Sequence, residues 1–264
     1  MTLIYFLVFA LGMIIGSFLN CIIYRLHTEE SFIKGRSFCP NCKKGLKAID
    51  LIPLFSFLSL RGKCRYCSTK ISFQYPLVEV ITGALFVLTL HYKMPHLLNL
   101  WGAIEIGYLF LIISLMVVIF VYDLKHYLIP DEAVFMAIGA TFLWQLLSYF
   151  NGAITLNEFG LVVLSGLGAS SFFLSLFLVS KGSWIGFGDV KLAIFMGFFL
   201  GLPNILVALF LSFMIGAIIG VGLVLSKKKE LKSEVPFAPF LIIGTLLAFF
   251  VGESLATGYI NLFY

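Results

Sequence analysis

From Ile106 to Val121 the chain carries no charged side chain, and comparable apolar runs recur along its whole length. A helix needs about 20 mostly apolar residues to cross the hydrocarbon layer, where every backbone polar group must find a partner inside the protein. The composition agrees: 61% of residues are hydrophobic and 12% charged, which excludes a soluble globular domain. The runs predict spans at residues 2–24, 76–93, 103–122, 132–150, 159–180, 189–201, 204–225 and 238–262. The breaks are Lys93-Met94-Pro95-His96, Asn151-Gly152, Gly201-Leu202-Pro203-Asn204 and the charged run from Lys227 to Glu234. The expected fold is an all-α polytopic membrane protein of about eight transmembrane helices. The first run lacks a basic leader and a small-residue cleavage site, so it reads as a retained span rather than a signal peptide.

Charge sets the expected orientation. With the N-terminus outside and the spans alternating, 17 of the 18 basic residues fall on the inner side, and only Lys93 falls outside. An excess of Lys and Arg marks cytoplasmic segments. The expected location is the inner or plasma membrane, with Asp123 and Asp189 at inner span ends. The span after Asp189 is short: from Asp189 to Gly201 it covers ~18 Å, against ~30 Å of hydrocarbon. Asp189 is therefore expected below the inner surface, within a protein-lined space.

Residues 25–75 are the one sizeable polar segment. They hold Cys39-Pro40-Asn41-Cys42 and Cys64-Arg65-Tyr66-Cys67, separated by 21 residues. Two C-x-x-C knuckles supply four thiolates for tetrahedral Zn²⁺, although this spacer is slightly long. A loop of ~50 residues with almost no core needs a staple to fold, and a structural zinc-ribbon-like site is the expectation. A redox pair and unliganded thiols are the alternatives; a cytoplasmic loop stays reduced, which disfavours disulfides. Cys21 reads as a small buried apolar residue. The loop has ten basic and three acidic side chains, which topology and anionic lipid explain. No aromatic stacking platform points to nucleic acid.

Asp123 lies in Tyr122-Asp123-Leu124-Lys125 and Asp189 in Gly186-Phe187-Gly188-Asp189-Val190-Lys191-Leu192. A carboxylate in or near hydrocarbon costs at least ~2.5 kcal/mol, which makes each a functional candidate. Two facing carboxyls titrate as a unit and share one proton. One then deprotonates a water while the other hydrogen-bonds a scissile carbonyl, which is aspartic peptide hydrolysis. Gly186 and Gly188 would admit a substrate backbone and an unusual helix entry angle. The competing reading makes each Asp a helix cap or a solvated boundary residue. Asp131, after Ile129-Pro130, fits helix capping. Lys125 and Lys191 fit snorkelling boundary charges.

The ordered motifs resemble the bacterial type IV prepilin peptidases, leader peptidase/N-methyltransferases of the GxGD aspartic class. They are Gly16-Ser17-Phe18-Leu19-Asn20, Tyr24-Arg25, the two cysteine pairs with Arg61-Gly62-Lys63, Ile71-Ser72 and Tyr75-Pro76-Leu77-Val78-Glu79. Asp123, Ile129-Pro130-Asp131, the Gly186–Leu192 motif with Gly197 and Gly201, and Pro236-Phe237-Ala238-Pro239-Phe240 complete the set. His27 departs from the usual Pro, and the cysteine pairs set the chain apart from the shorter archaeal preflagellin peptidases. The resemblance implies that Asp123 and Asp189 are the catalytic pair. It implies prepilin or pseudopilin substrates, cleaved after a short basic leader and then N-methylated with S-adenosylmethionine. It also links the cysteine loop and first span to methylation. The implied division is a first helix at 1–24, the four-cysteine loop at 25–75 and a membrane aspartic peptidase domain at 76–264.

No glycine-rich fingerprint marks the methyl-donor site. Glu79, Arg25, Asn20 and Ser17 are polar residues near the inner face that are placed to line it; capping and interface anchoring are the plainer roles. Glu79 stands out because it falls just inside a span. A transporter or channel using the two aspartates as an ion or proton relay is the main alternative. It lacks support from inverted repeats or broken mid-membrane helices. A membrane-anchored scaffold that recruits a partner through its zinc loop would leave the aspartates unexplained. The pilus, secretion or DNA-uptake system served and the oligomeric state are not legible.

Overall fold

A computed structural model describes residues 2–28, 30–31, 35–94, 99–226 and 235–263, with the backbone alone at 253 and 256–263. Among the described residues, a helix lies at each of the eight expected places: α1 (Thr2–Thr28), α3 (Gln74–Lys93), α4 (Leu100–His126), α5 (Asp131–Phe150), α6 (Leu156–Ser180), α7 (Phe187–Leu200), α8 (Asn204–Leu225) and α9 (Ala238–Phe263). The five-residue α2 (Phe55–Ser59) lies in the cysteine loop. Extended structure among the described residues is limited to two isolated bridges. The charged run at 227–234 and Pro95-His96 lie outside the described residues.

Among the described residues, six helices are long and apolar enough to cross a membrane: α1, α3, α4, α5, α6 and α8. The described apolar part of α9, Ala238–Gly252, is shorter, and α7 has 14 residues. The helices overrun the apolar runs because their ends follow local bonding rather than hydropathy. The α1 helix continues through Arg25, and α4 carries Asp123 into its last turn. The α6 helix starts three residues early on a capping box, where Glu158 accepts from the Thr155 N–H at 2.7 Å and Thr155 caps Glu158.

The chain forms two compact units, Met1–Val118 and Ile119–Tyr264, with the boundary inside α4. In the first, α1 packs on α3 through small residues. A Cβ on Gly12 would lie 2.6 Å from the Gly83 Cα, and one on Gly16 would lie 2.8 Å from the Glu79 Cα. Gly12 and Gly16 are four apart, the spacing that lets two membrane helices bring their backbones together. In the second unit, α7 is the buried element, with Leu192, Ala193, Phe195 and Met196 fully enclosed. Its Gly197 meets Gly166 of α6 so closely that a Cβ would stand 2.3 Å from the Gly166 Cα. The Gln145 amide of α5 donates to the Phe198 carbonyl of α7 at 3.0 Å. A 14-residue helix, about 21 Å long, thus sits inside a bundle instead of facing lipid.

Candidate active site

Asp189 occupies the first turn of α7. Its Oδ2 accepts the Gly186 N–H at 3.2 Å, and its own N–H donates to the Gly186 carbonyl at 3.1 Å. An acidic side chain at this position satisfies a backbone donor that the helix start leaves orphaned. Gly186 has φ −75° and ψ 153°, ordinary extended geometry. A Cβ there would touch only Asp189 and the Gly188 N at van der Waals range. The helix entry is therefore not unusual, and the lack of a side chain leaves open space beside the carboxyl. Gly188 differs: a Cβ would lie 2.9 Å from Ile129 Cδ1, so this glycine is a packing requirement.

Asp123 lies in the last turn of α4, where its carboxylate accepts the backbone N–H of Ala238, the first residue of α9. Phe237 fixes that entry, with its ring 5.2 Å from Phe213 and 6.3 Å from Phe173. The end of α4 and the starts of α7 and α9 thus converge. Asp123 is 4% exposed and Asp189 5%, and the two carboxyls lie within electrostatic reach of each other. Asp123 Oδ2 and Asp189 Oδ1 are buried with no hydrogen-bond partner. Leaving such an atom unpaired costs roughly 1–3 kcal/mol, a cost that persists where function requires it. Each carboxyl is thus held by a backbone donor while a second oxygen stays open. The one further such atom among the described residues is Asn204 Oδ1, beyond the opposite end of α7.

A clasp joins α7, which carries Asp189, to the start of α5, the helix that follows Asp123 in the chain. Lys191 Nζ bonds Asp131 Oδ1, and the same ammonium lies 5.4 Å from the Phe135 ring centroid and 5.6 Å from that of Phe187. The capping expected of Asp131 does not hold: Pro130 is the N-cap of α5, and Asp131 instead meets Lys191 across 60 residues of sequence. Lys125 falls in the final turn of α4, where a cation suits the helix dipole. Nothing in the sequence flagged Ala238 as a donor, since a backbone N–H carries no side-chain signature.

The cysteine loop belongs to the first unit. Its knuckles repeat one geometry. Cys39 N–H donates to the Lys44 carbonyl and Lys43 N–H to the Cys39 carbonyl, while Cys64 N–H donates to Thr69 and Ser68 N–H to Cys64. Lys43 and Ser68 take matching φ values of 57° and 56°. The Sγ atoms of Cys39, Cys42, Cys64 and Cys67 all lie within 4.8 Å of one another, and Cys39 and Cys67 are 3.8 Å apart. Tetrahedral Zn–S bonds of about 2.3 Å require sulfurs about 3.8 Å apart, far beyond a disulfide bond. The cluster therefore fits a metal ion, and zinc suits four thiolates. Hydrogen bonds from Thr69 and Asn41 hold the Cys67 thiol down at about 6.

Polar side chains brace this loop. Asn20 Nδ2 donates to the Tyr75 carbonyl at 3.1 Å and to the Gly16 carbonyl at 3.3 Å. The Arg25 guanidinium donates to the carbonyls of Ser31 and Arg36. Glu79 Oε2 accepts the Leu54 N–H at 2.8 Å, and Ser17 also hydrogen-bonds Glu79. All four candidate methyl-donor contacts, Asn20, Arg25, Glu79 and Ser17, are thus engaged with the chain itself. They present no open set of groups that fits S-adenosylmethionine.

Comparison with known proteins matches residues 10–93 to the bacterial peptidase A24 N-terminal domain and residues 110–221 to the type IV leader peptidase family. The chain is 32% identical to a prepilin leader peptidase/N-methyltransferase of Bacillus subtilis (strain 168), covering 97% of this chain and 98% of that one. It is 30% identical to the protein of that name from Aeromonas hydrophila, covering 97% and 94%. The identity to its namesake in Pectobacterium carotovorum subsp. carotovorum is 33%, over 89% and 88%. No solved structure matches the chain. With likeness of this extent running through both units, the chain belongs to the type IV leader peptidase family.

Proposed function

We propose that this protein removes the leader peptide from type IV prepilins or pseudopilins and N-methylates the residue thereby exposed. Asp123 and Asp189 carry the hydrolysis. One carboxylate takes a proton from a water, and the water oxygen attacks the scissile carbonyl carbon. The other carboxyl gives its proton to the carbonyl oxygen, producing a neutral gem-diol. That diol collapses as the peptide nitrogen is protonated, and the C–N bond breaks. The roles belong to the pair rather than to either residue. The observation that carries this reading is the matched pair of open, buried oxygens, one on each carboxyl, with a backbone N–H steadying its neighbour on Asp189 and another on Asp123. Family membership favours hydrolysis over the ion-relay alternative.

The wider reading follows the charge distribution: eight crossings, the N-terminus outside, and the site at the cytoplasmic face of the inner or plasma membrane. Residues 1–24, 25–75 and 76–264 serve as first helix, methyltransferase-linked loop and peptidase domain. Cys39, Cys42, Cys64 and Cys67 hold a structural Zn²⁺. Asn20, Arg25 and Glu79 act on methylation indirectly, by holding the loop against α1 and α3, and S-adenosylmethionine is the methyl donor. The test is mass spectrometry of a coexpressed prepilin. The expected product lacks its leader and carries about 14 Da at its new N-terminus, the mass of a methylene added on replacing N–H by N–CH₃. An uncut substrate would overturn the peptidase reading; a cut but unmodified one would overturn the methylation alone.

A further inference from the structure

The cysteine loop contains a segment that does not belong in a polar loop: Ala48-Ile49-Asp50-Leu51-Ile52-Pro53-Leu54-Phe55-Ser56-Phe57-Leu58-Ser59. A soluble ribbon would fold these apolar side chains into its own core. Here Ile49, Leu51, Ile52, Phe55 and Leu58 are exposed, Phe55 to 56% and Leu58 to 64%. Contiguous exposed apolar groups mark a binding surface.

Three observations identify the occupant. First, the segment is fastened to a membrane helix, because the Leu54 N–H bonds Glu79 in the second turn of α3. Second, the patch is continuous with the outward face of that helix. Phe57 packs edge-on against Phe73 at 5.2 Å, and Phe73, 77% exposed, leads into the exposed Leu77, Ile81 and Leu88 of α3. Third, its rim is basic. Lys47, Arg61 and Lys63 flank it, while the segment's own acid, Asp50, is paired with Arg65 at 2.7 Å.

We infer that residues 49–58, together with Phe73, lie in the lipid interface of the leaflet at this end of α3. The apolar side chains enter the acyl boundary, and Lys47, Arg61 and Lys63 meet anionic headgroups. The 3₁₀ turn at Ala48–Leu51 and the five-residue α2 are far too short to cross. The segment is a monotopic anchor that presses the four-cysteine cluster to the membrane plane.

The experiment uses the full chain in phosphatidylglycerol-containing vesicles, with Trp101→Phe, Trp144→Phe and Trp184→Phe removing the native indoles. Phe55→Trp and Leu58→Trp are introduced separately, and retained metal content confirms the loop's fold. Emission from both is expected to fall by about half or more when the acyl chains are brominated, and to resist aqueous acrylamide. Quenching by acrylamide and not by brominated lipid would place the segment in water. Protection from both would mean that protein covers it. Either result overturns the proposal.

Discussion

The two units treat buried polar side chains in opposite ways. Around the cysteine loop, Asn20, Arg25 and Glu79 are bonded to backbone groups that bind the loop to its helices. Around the end of α4 and the starts of α7 and α9, Asp123 and Asp189 each keep one buried oxygen without a partner. A satisfied buried group stabilises and specifies a fold; an unsatisfied one has unused bonding capacity for a ligand or reacting atom. The contrast assigns framework to the first set and chemistry to the second, although all five residues are buried and polar.

The sharpest way to break this contrast is to neutralise either aspartate. Asp123→Asn and Asp189→Asn are each expected to lower leader cleavage by about 10³-fold or more. Protein level, bound metal and methylation of an already cleaved substrate should survive. Loss of the metal along with cleavage would mean that the aspartates, too, are framework. The reciprocal change is Cys39→Ser or Cys64→Ser. Metal measured by atomic absorption should fall, and methylation should drop about tenfold or more, with a smaller effect on cleavage. Equal losses of both activities would make the loop a general folding requirement.

The clasp offers a subtler test. Lys191→Ala or Asp131→Ala should reduce kcat about 10-fold through misplacement of the carboxyls. Thermal stability should change little, since Asp131 is largely exposed and such pairs contribute about 0–1 kcal/mol. The exchanged pair, Asp131→Lys with Lys191→Asp, should regain part of the rate. A stability loss as large as the rate loss would reduce the clasp to scaffolding. The smallest effect is expected from Gly188→Ala, which pushes a methyl against Ile129 and costs about 1–3 kcal/mol. Ile129→Val in the same chain should return part of it, read as a recovered unfolding temperature in detergent.

Much of the fold was legible because charge is so sparse: eight apolar runs stand out and a helix lies in each, six of which, among the described residues, are long and apolar enough to cross a membrane. Their ends were less legible, since Thr155 and Glu158 set the start of α6 by local hydrogen bonds, and Arg25 stays helical past its apolar run. The cysteine spacing announced a cluster, and the structure brings all four sulfurs together. Asp123 and Asp189 stood out by their cost in an apolar setting. What held them did not: Ala238 contributes a main-chain N–H, and Lys191 finds Asp131 across 60 positions. The Gly12 and Gly16 stripe had a readable spacing, but its partner at Glu79 and Gly83 required the packed helices. The apolar segment at 48–59 was hidden within a loop judged by its charge.

The central claim is that Asp123 and Asp189 act as one unit, and a double-mutant cycle on cleavage of a purified prepilin tests it most directly. If they share one proton in one step, Asp123→Asn, Asp189→Asn and the double variant should all retain the same residual rate. A double variant slower than either single by the product of their separate effects would contradict the account, as would full activity in either single variant.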